Sequence, residues 1–230
     1  MKKIISTILI IAACAATGYC QLPQLSKKEK KNGWVLLFDG KTFNGWKSAN
    51  GRSLPEADWK IENGALVVNP NDKMVDIITE AEFSNFELSL DFKIAEGANS
   101  GIKYFILPGT SLGCEFQILD DAKHPDAKMG KDGNRLQGAL YDLIPPAATK
   151  KDKPAGEWNN ARIISKGSHV EHWLNGKKIV TYERGNDEFK ALVAESKYKN
   201  DKTFATPVRA PILLQDHGDV VSFRNIKIKK

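Results

Sequence analysis

The clearest pattern in the chain lies over Asn85 to Ile94 (NFELSLDFKI). Phe86, Leu88, Leu90, Phe92 and Ile94 fall on one side, and Glu87, Ser89, Asp91 and Lys93 on the other. This is the period of a half-buried β-strand. Shorter apolar or alternating runs follow the same logic: Trp34–Phe38, Trp59–Ile61, Ala65–Val68, Gly101–Leu107, Cys114–Leu119, Gly138–Tyr141, Ala161–Ser165, Val170–Leu174, Lys178–Tyr182, Ile212–Gln215 and Val220–Ile228. Gly, Asn, Asp and Pro punctuate them, and Asn63-Gly64 and Asn175-Gly176 mark two tight hairpins. One stretch has helical spacing instead. Asn186 or Asp187 caps it, and Phe189, Leu192 and Val193 recur within Glu188–Lys199. The pattern predicts an all-β fold: a β-sandwich of jelly-roll type, two antiparallel sheets of about a dozen strands, with one short inserted helix near 187–199.

The start of the chain reads differently. Met1-Lys2-Lys3 is basic, Ile4 to Ala13 is apolar, and small residues follow. The apolar stretch is well short of the ~20 residues that span a bilayer, so residues 1–20 read as an export signal outside the fold. Two exits stay open. Ile11-Ala12-Ala13-Cys14 resembles a bacterial lipobox, which would place a lipid on Cys14; cleavage after Cys20 would leave Gln21 first. Both give an exported bacterial protein, periplasmic or held at the outer membrane as a lipoprotein, with the Cys14 anchor as its sole expected membrane contact. Residues 21–32 (QLPQLSKKEKKN) are polar and basic and read as a linker. Residues 33–230 remain as a single domain.

Composition narrows the class. The 230 residues are 41% hydrophobic and 27% charged, with 18 Gly and 10 Pro, which excludes disordered, collagen-like and disulfide-dense chains. A domain of ~200 residues can bury one sizeable core. The formal charge is +6; without the two lysines of residues 1–20, a segment that has no acids, it is about +4. The lysines are scattered, so nucleic acid is not an expected partner. Of Cys14, Cys20 and Cys114, only Cys114 falls inside the domain, so the fold must stand on its core without an internal disulfide.

A series of short motifs carries more. Leu37-Phe38-Asp39-Gly40-Lys41 is followed by Asn44-Gly45-Trp46, Asn99-Ser100-Gly101-Ile102, Glu115-Phe116-Gln117-Ile118-Leu119-Asp120 and His124-Pro125-Asp126-Ala127-Lys128. Then come Gly138 to Pro145 (GALYDLIP), Gly156-Glu157-Trp158-Asn159, His172 to Gly176 (HWLNG), Leu214 to Gly218 (LQDHG) and Phe223 to Ile228 (FRNIKI). In this order they resemble the 3-keto-disaccharide hydrolase domain family, from about Trp34 to Lys230. Each motif alone is weak; the ordered set is specific. The resemblance implies a concanavalin-like jelly roll in an exported bacterial protein, acting on glycosides already oxidised at sugar C3. The substrate would come from a separate oxidoreductase, and no cofactor is expected.

A ketone at C3 acidifies the C2 proton. Its removal gives an enediolate that can expel the group on C1, and water can add afterwards. The chemistry needs a base, a donor or cation for the enediolate oxygen, and an acid for the leaving oxygen. With Cys114, Phe116 and Ile118 facing the core, Glu115 and Gln117 share the opposite face. His217, at the end of the Ile212–Gln215 run, is the side-chain type suited to acid or base work. Glu115 and His217 are therefore the expected catalytic pair, in an order the sequence leaves open. Gln117, Lys103, Tyr141, Asp120 and Gln215 are the expected sugar-binding residues, with Asp142 beside Tyr141. Gly101, which shares the parity of Lys103, would leave room for a ligand. Bland alternatives stand beside each: a solvated sheet face for Glu115 and Gln117, a turn histidine for His217, a surface lysine for Lys103. Asp120, Asp121, His124 and Asp126 cluster without the spacing of an EF-hand loop and read as a turn-rich loop, so no metal site is expected. A conventional glycoside hydrolase and a non-catalytic carbohydrate-binding module are the alternative functions. The hydrolase reading is disfavoured because the key strand offers Glu115 with Gln117 rather than two acids.

Overall fold

A computed structural model describes residues 22–51, 58–71 and 73–230. The export-type start, with Cys14 and Cys20, lies outside the described residues. Thirteen strands appear among them in chain order: β1 (Trp34–Leu36), β2 (Trp46–Ser48), β3 (Trp59–Glu62), β4 (Ala65–Val68), β5 (Ile77–Phe83), β6 (Phe86–Ile94), β7 (Asn99–Tyr104), β8 (Cys114–Leu119), β9 (Asn159–Lys166), β10 (His169–Leu174), β11 (Lys177–Glu183), β12 (Ala210–Leu214) and β13 (Val221–Lys229).

They form two antiparallel sheets, as the alternation predicts. The larger runs β11-β10-β9-β6-β13-β4-β3, with β1 also on β13; the smaller runs β2-β5-β12-β7-β8. The inner faces meet in one core. Ile102, Tyr104, Phe116 and Ile118 of the smaller sheet join the same buried cluster as Leu88, Leu90, Phe92, Phe223 and Ile228 of the larger. Trp46 and Trp59 are buried with their indole N–H groups donating to Leu37 O (2.6 Å) and Val75 O (2.7 Å), so neither large side chain leaves a polar atom stranded. Cys114 is free and buried, and burial pushes its thiol up to about 11.

A polar chain crosses this core. His172 Nδ1 faces Gly138 O at 3.0 Å, and a carbonyl can only accept, so Nδ1 carries the proton. Nε2 then accepts from Tyr104 Oη at 2.5 Å, and Tyr182 Oη donates to Tyr104 Oη at 3.0 Å. Burial lowers the His172 pKa to about 4, so the ring is neutral. This chain ties β10 and β7 to the backbone at Gly138, beside β8.

Two departures from the sequence reading matter. The stretch read as a linker holds a short helix, α1 (Lys27–Lys31), closed by a capping box between Ser26 and Glu29. The inserted helix, α2 (Asp187–Ala194), starts at the expected Asn186 cap but stops five residues before Lys199. Ser196 explains the early stop. Its hydroxyl donates to Val193 O and accepts from Tyr198 N, the side-chain competition with helix backbone that ends helical ladders.

Candidate active site

β8 is an edge strand, and the segment after it covers that edge. Gly138 N donates to Gln117 O (2.8 Å), Gln117 N to Ala139 O (3.1 Å) and Tyr141 N to Glu115 O (3.0 Å). The short run Gly138–Tyr141, read from sequence as a strand, is thus a bridge-paired extension rather than a regular strand. Phe116 pairs with Leu140, both in the core, so the outward-facing positions next to it are Glu115 and Tyr141.

On that outer face, Lys103 of β7 is the direct cross-strand partner of Glu115, and Gly101 of Gln117. Lys103 Nζ stands 3.5 Å from Glu115 Oε2, with the two side chains only 11% and 5% exposed. The Glu115 carboxylate folds over Gly101, where a Cβ would stand 2.8 Å from Cδ and 2.9 Å from Cγ. The orientation that satisfies the Gln117 amide has its nitrogen donating to Glu115 Oε1 and Ser100 O, each at 3.2 Å. Glu115, Lys103 and Gln117 are therefore one connected, buried polar unit on a sheet face that the alternation alone would leave in solvent.

What covers them comes from two loops. Between β8 and β9, Asp126 lies in a single 3-10 turn (Pro125–Lys128) and is followed by Arg135, Tyr141 and Asp142. Arg135 Nη1 donates to Asp126 Oδ1 (2.8 Å) and its Nε to Asp142 Oδ1 (2.6 Å). Asp142 has a left-handed backbone (φ 61°), a strain of about 1–3 kcal/mol in a non-glycine residue. Its second oxygen accepts from Lys197 N at 2.7 Å, so one carboxylate joins the two loops. Lys197 Nζ lies 4.2 Å from the centroid of the Tyr141 ring and 5.1 Å from that of Tyr198, and the Arg135 guanidinium stands 5.4 Å from the Tyr141 ring. Burial first, then the neighbouring Asp126 carboxylate, hold the Tyr141 hydroxyl protonated well beyond its ordinary range.

The expected residues separate in this geometry. Glu115, Gln117, Lys103 and Tyr141 come together. Gln215 is adjacent, its N–H donating to Gly101 O at 3.0 Å. His217 is exposed in the turn after β12, with no hydrogen bond or ion pair to it among the described residues. The Asp120 carboxylate is turned to the backbone, accepting from Gly97 N (2.7 Å) and Ala122 N (3.1 Å). Its neighbours each find different partners: Asp121 takes Lys150 and Gln137 N, and His124 caps Asp126 N. Two polar residues of the cluster, Arg135 and Lys197, were not singled out from the sequence, and Asp126 was read only as part of a turn-rich loop. Arg135 stands only three residues before the Gly138–Pro145 motif, a signal that could have found it.

A family model described as the 3-keto-alpha-glucoside-1,2-lyase-like domain matches residues 33–229. A 3-keto-disaccharide hydrolase of Bacteroides thetaiotaomicron is 35% identical over 232 residues, covering 86% of this chain and 78% of that one. Two crystal structures from Parabacteroides distasonis, each described provisionally as a glycosyl hydrolase, are also similar. One aligns with a TM-score of 0.81 at 32% identity, over 91% of this chain and 99% of that one. The other aligns with a TM-score of 0.65 at 29% identity, over 86% of this chain and all of the other.

Proposed function

The chain belongs to the 3-keto-alpha-glucoside-1,2-lyase-like domain family, and from that premise we propose that it is an exported carbohydrate-active enzyme cleaving 3-keto-glycosides. Cleavage proceeds by abstraction of the C2 proton and elimination of the C1 aglycone, with water adding afterwards in the hydrolytic outcome. The observation that carries the reading is the buried Glu115–Lys103 pair on the outer sheet face, roofed by two loops.

The pair suits the charge flow. Glu115 takes the C2 proton and becomes neutral. The electron pair left behind runs into the C3 carbonyl, making an enediolate oxygen as Lys103 loses its counter-charge. A cation held in a water-poor site and freed of its partner at that moment stabilises an oxyanion far more than it would in water. In this reading Gln117 and Gln215 orient sugar hydroxyls. The alternative of conventional glycoside hydrolysis wants two free carboxyl groups ~5–9.5 Å apart. Here Glu115 faces a lysine and an amide, and Arg135 engages both Asp126 and Asp142.

The test uses matched 3-keto and unoxidised glucosides of one aglycone. Release from the 3-keto form alone, with an unsaturated sugar or its hydrate as co-product, supports the reading. Release from the unoxidised form as well would move it to conventional hydrolysis. Binding without turnover of either would leave a carbohydrate-binding module.

A further inference from the structure

We propose that Lys197 is the general acid for the departing aglycone oxygen, so that the acid partner of Glu115 comes from the inserted loop rather than from the end of β12. The inference rests on the elimination reading and adds a residue and a role to it.

Elimination from the enediolate breaks the C1–O bond and leaves an alkoxide unless a proton arrives as the bond breaks. The donor must approach Glu115 from the side opposite the sheet, where the two loops lie. His217 is exposed, with no hydrogen bond among the described residues to orient it. Tyr141 holds its proton too firmly, with burial and Asp126 both opposing ionisation. Lys103 is the buried counter-ion of Glu115, and Arg135 is fixed to Asp126 and Asp142 and cannot give up a proton.

Lys197 remains, and its placement is built. Asp142 accepts its backbone N–H at 2.7 Å, and Arg135 in turn fixes Asp142 at 2.6 Å. Ser196 and Tyr198 close the turn on either side. The ammonium rests on the Tyr141 ring at 4.2 Å and the Tyr198 ring at 5.1 Å, so the two rings hold its position in the loops over Glu115. The residue as a whole is exposed, which leaves room for an aglycone beside it. Its surroundings also lower its pKa: burial acts first, and Lys103 and Arg135 repel a further positive charge, against the pull of Glu115 and Asp142. A lysine shifted in this direction is a better proton donor near neutrality than an ordinary one.

The protons balance. In elimination, the C2–H bond breaks and its proton goes to Glu115. The C1–O bond breaks, C1=C2 forms, and the Lys197 proton goes to the aglycone oxygen. In hydration, the Lys197 amine takes a proton from water as its oxygen bonds to C1. Glu115 returns its proton to C2, and both groups are reset. In lyase turnover, the unsaturated sugar leaves and the two groups exchange their protons with solvent.

The experiment compares wild type with Lys197→Met, Lys197→Arg and His217→Ala on two 3-keto glucosides. One carries a methoxy group, which must be protonated to leave; the other carries 4-nitrophenoxide, which leaves unaided. Deuterium exchange at C2 is followed in parallel, and circular dichroism checks the fold of each variant. Lys197→Met is expected to lose on the order of 100-fold or more on the methyl substrate, only a few-fold on the nitrophenyl substrate, and to keep exchanging C2. Lys197→Arg is expected to behave like Lys197→Met, because it restores charge but not an acid. Equal losses on both aglycones, rescue by arginine, or this leaving-group pattern in His217→Ala instead would overturn the assignment. Absence of C2 exchange and of release in the wild type would sink the elimination reading itself, and this inference with it.

Discussion

The carboxylate of Glu115 occupies the space that a side chain at position 101 would need. A Cβ on Gly101 would stand 2.8 Å from Glu115 Cδ and 2.9 Å from its Cγ, closer than a carbon can approach without displacing one of them. The glycine makes room, but for a side chain of the protein's own neighbouring strand. With Lys103 on one side and the Gln117 amide on the other, the carboxylate has one place to lie.

Gly101→Ala therefore tests position rather than identity. Every functional group remains, yet Glu115 must move. Overpacking of this kind costs about 1–3 kcal/mol. The expected result is a modest fall in unfolding free energy with a loss of turnover of tenfold or more, read from denaturant melts and initial rates on one preparation. Unaltered turnover would mean that the observed lie of Glu115 is not the productive one.

The Lys103–Glu115 pair predicts a non-additive stability cycle. Breaking a buried pair by removing one partner leaves an uncompensated charge, at about 3–5 kcal/mol. Lys103→Met alone is expected to be strongly destabilising, and Lys103→Met with Glu115→Gln less so than the single lysine change. Additive effects in the four-variant cycle would show that the two side chains do not interact in solution.

Asp142 makes a different prediction, because it combines backbone strain with two bonds that clamp the loops. Asp142→Gly removes the strain and the clamp; Asp142→Ala removes only the clamp. The glycine variant should be the more stable by about 1 kcal/mol, and both should lose turnover as the Tyr141 and Lys197 loops separate. Equal stability of the two would contradict the strain at this position.

His172 sets a pH window for stability. Its folded pKa is lowered by burial to about 4 from an ordinary 6.5. The unfolded chain therefore binds a proton that the folded protein refuses. Its contribution is present above pH 6.5 and falls away as the pH drops from 6.5 towards 4, by roughly 3 kcal/mol in all. Urea midpoints over that range should fall in wild type and fall less in His172→Asn. Parallel slopes would show that burial does not keep the ring neutral.

The sheets were legible because alternation is local. Phe86–Ile94 declares its faces by period, and the same rule put Glu115 and Gln117 on one side and Lys103 with Gly101 on its neighbour. Local pattern could not show that this outer face is covered. The roof depends on Asp142 joining residues more than fifty positions apart, which leaves no periodic trace. Lys197 was hidden for a specific reason. The helical reading of Glu188–Lys199 takes in Lys197, whereas the Ser196 hydroxyl competes for the backbone where the helix ends, and Lys197 lies against Tyr141. His217 is the converse case: its residue type and motif suggested chemistry, and its position after β12 leaves it exposed, a placement that residue type alone does not reveal.

The most direct test of the account is C2 exchange on a 3-keto glucoside in D₂O, comparing wild type with Glu115→Gln under conditions where both are folded. Abstraction by Glu115 predicts that wild type exchanges C2 and releases the aglycone, and that the variant loses both by about 100-fold or more. Undiminished exchange in Glu115→Gln would contradict the assignment of the base, and with it the role given to the buried Glu115–Lys103 pair.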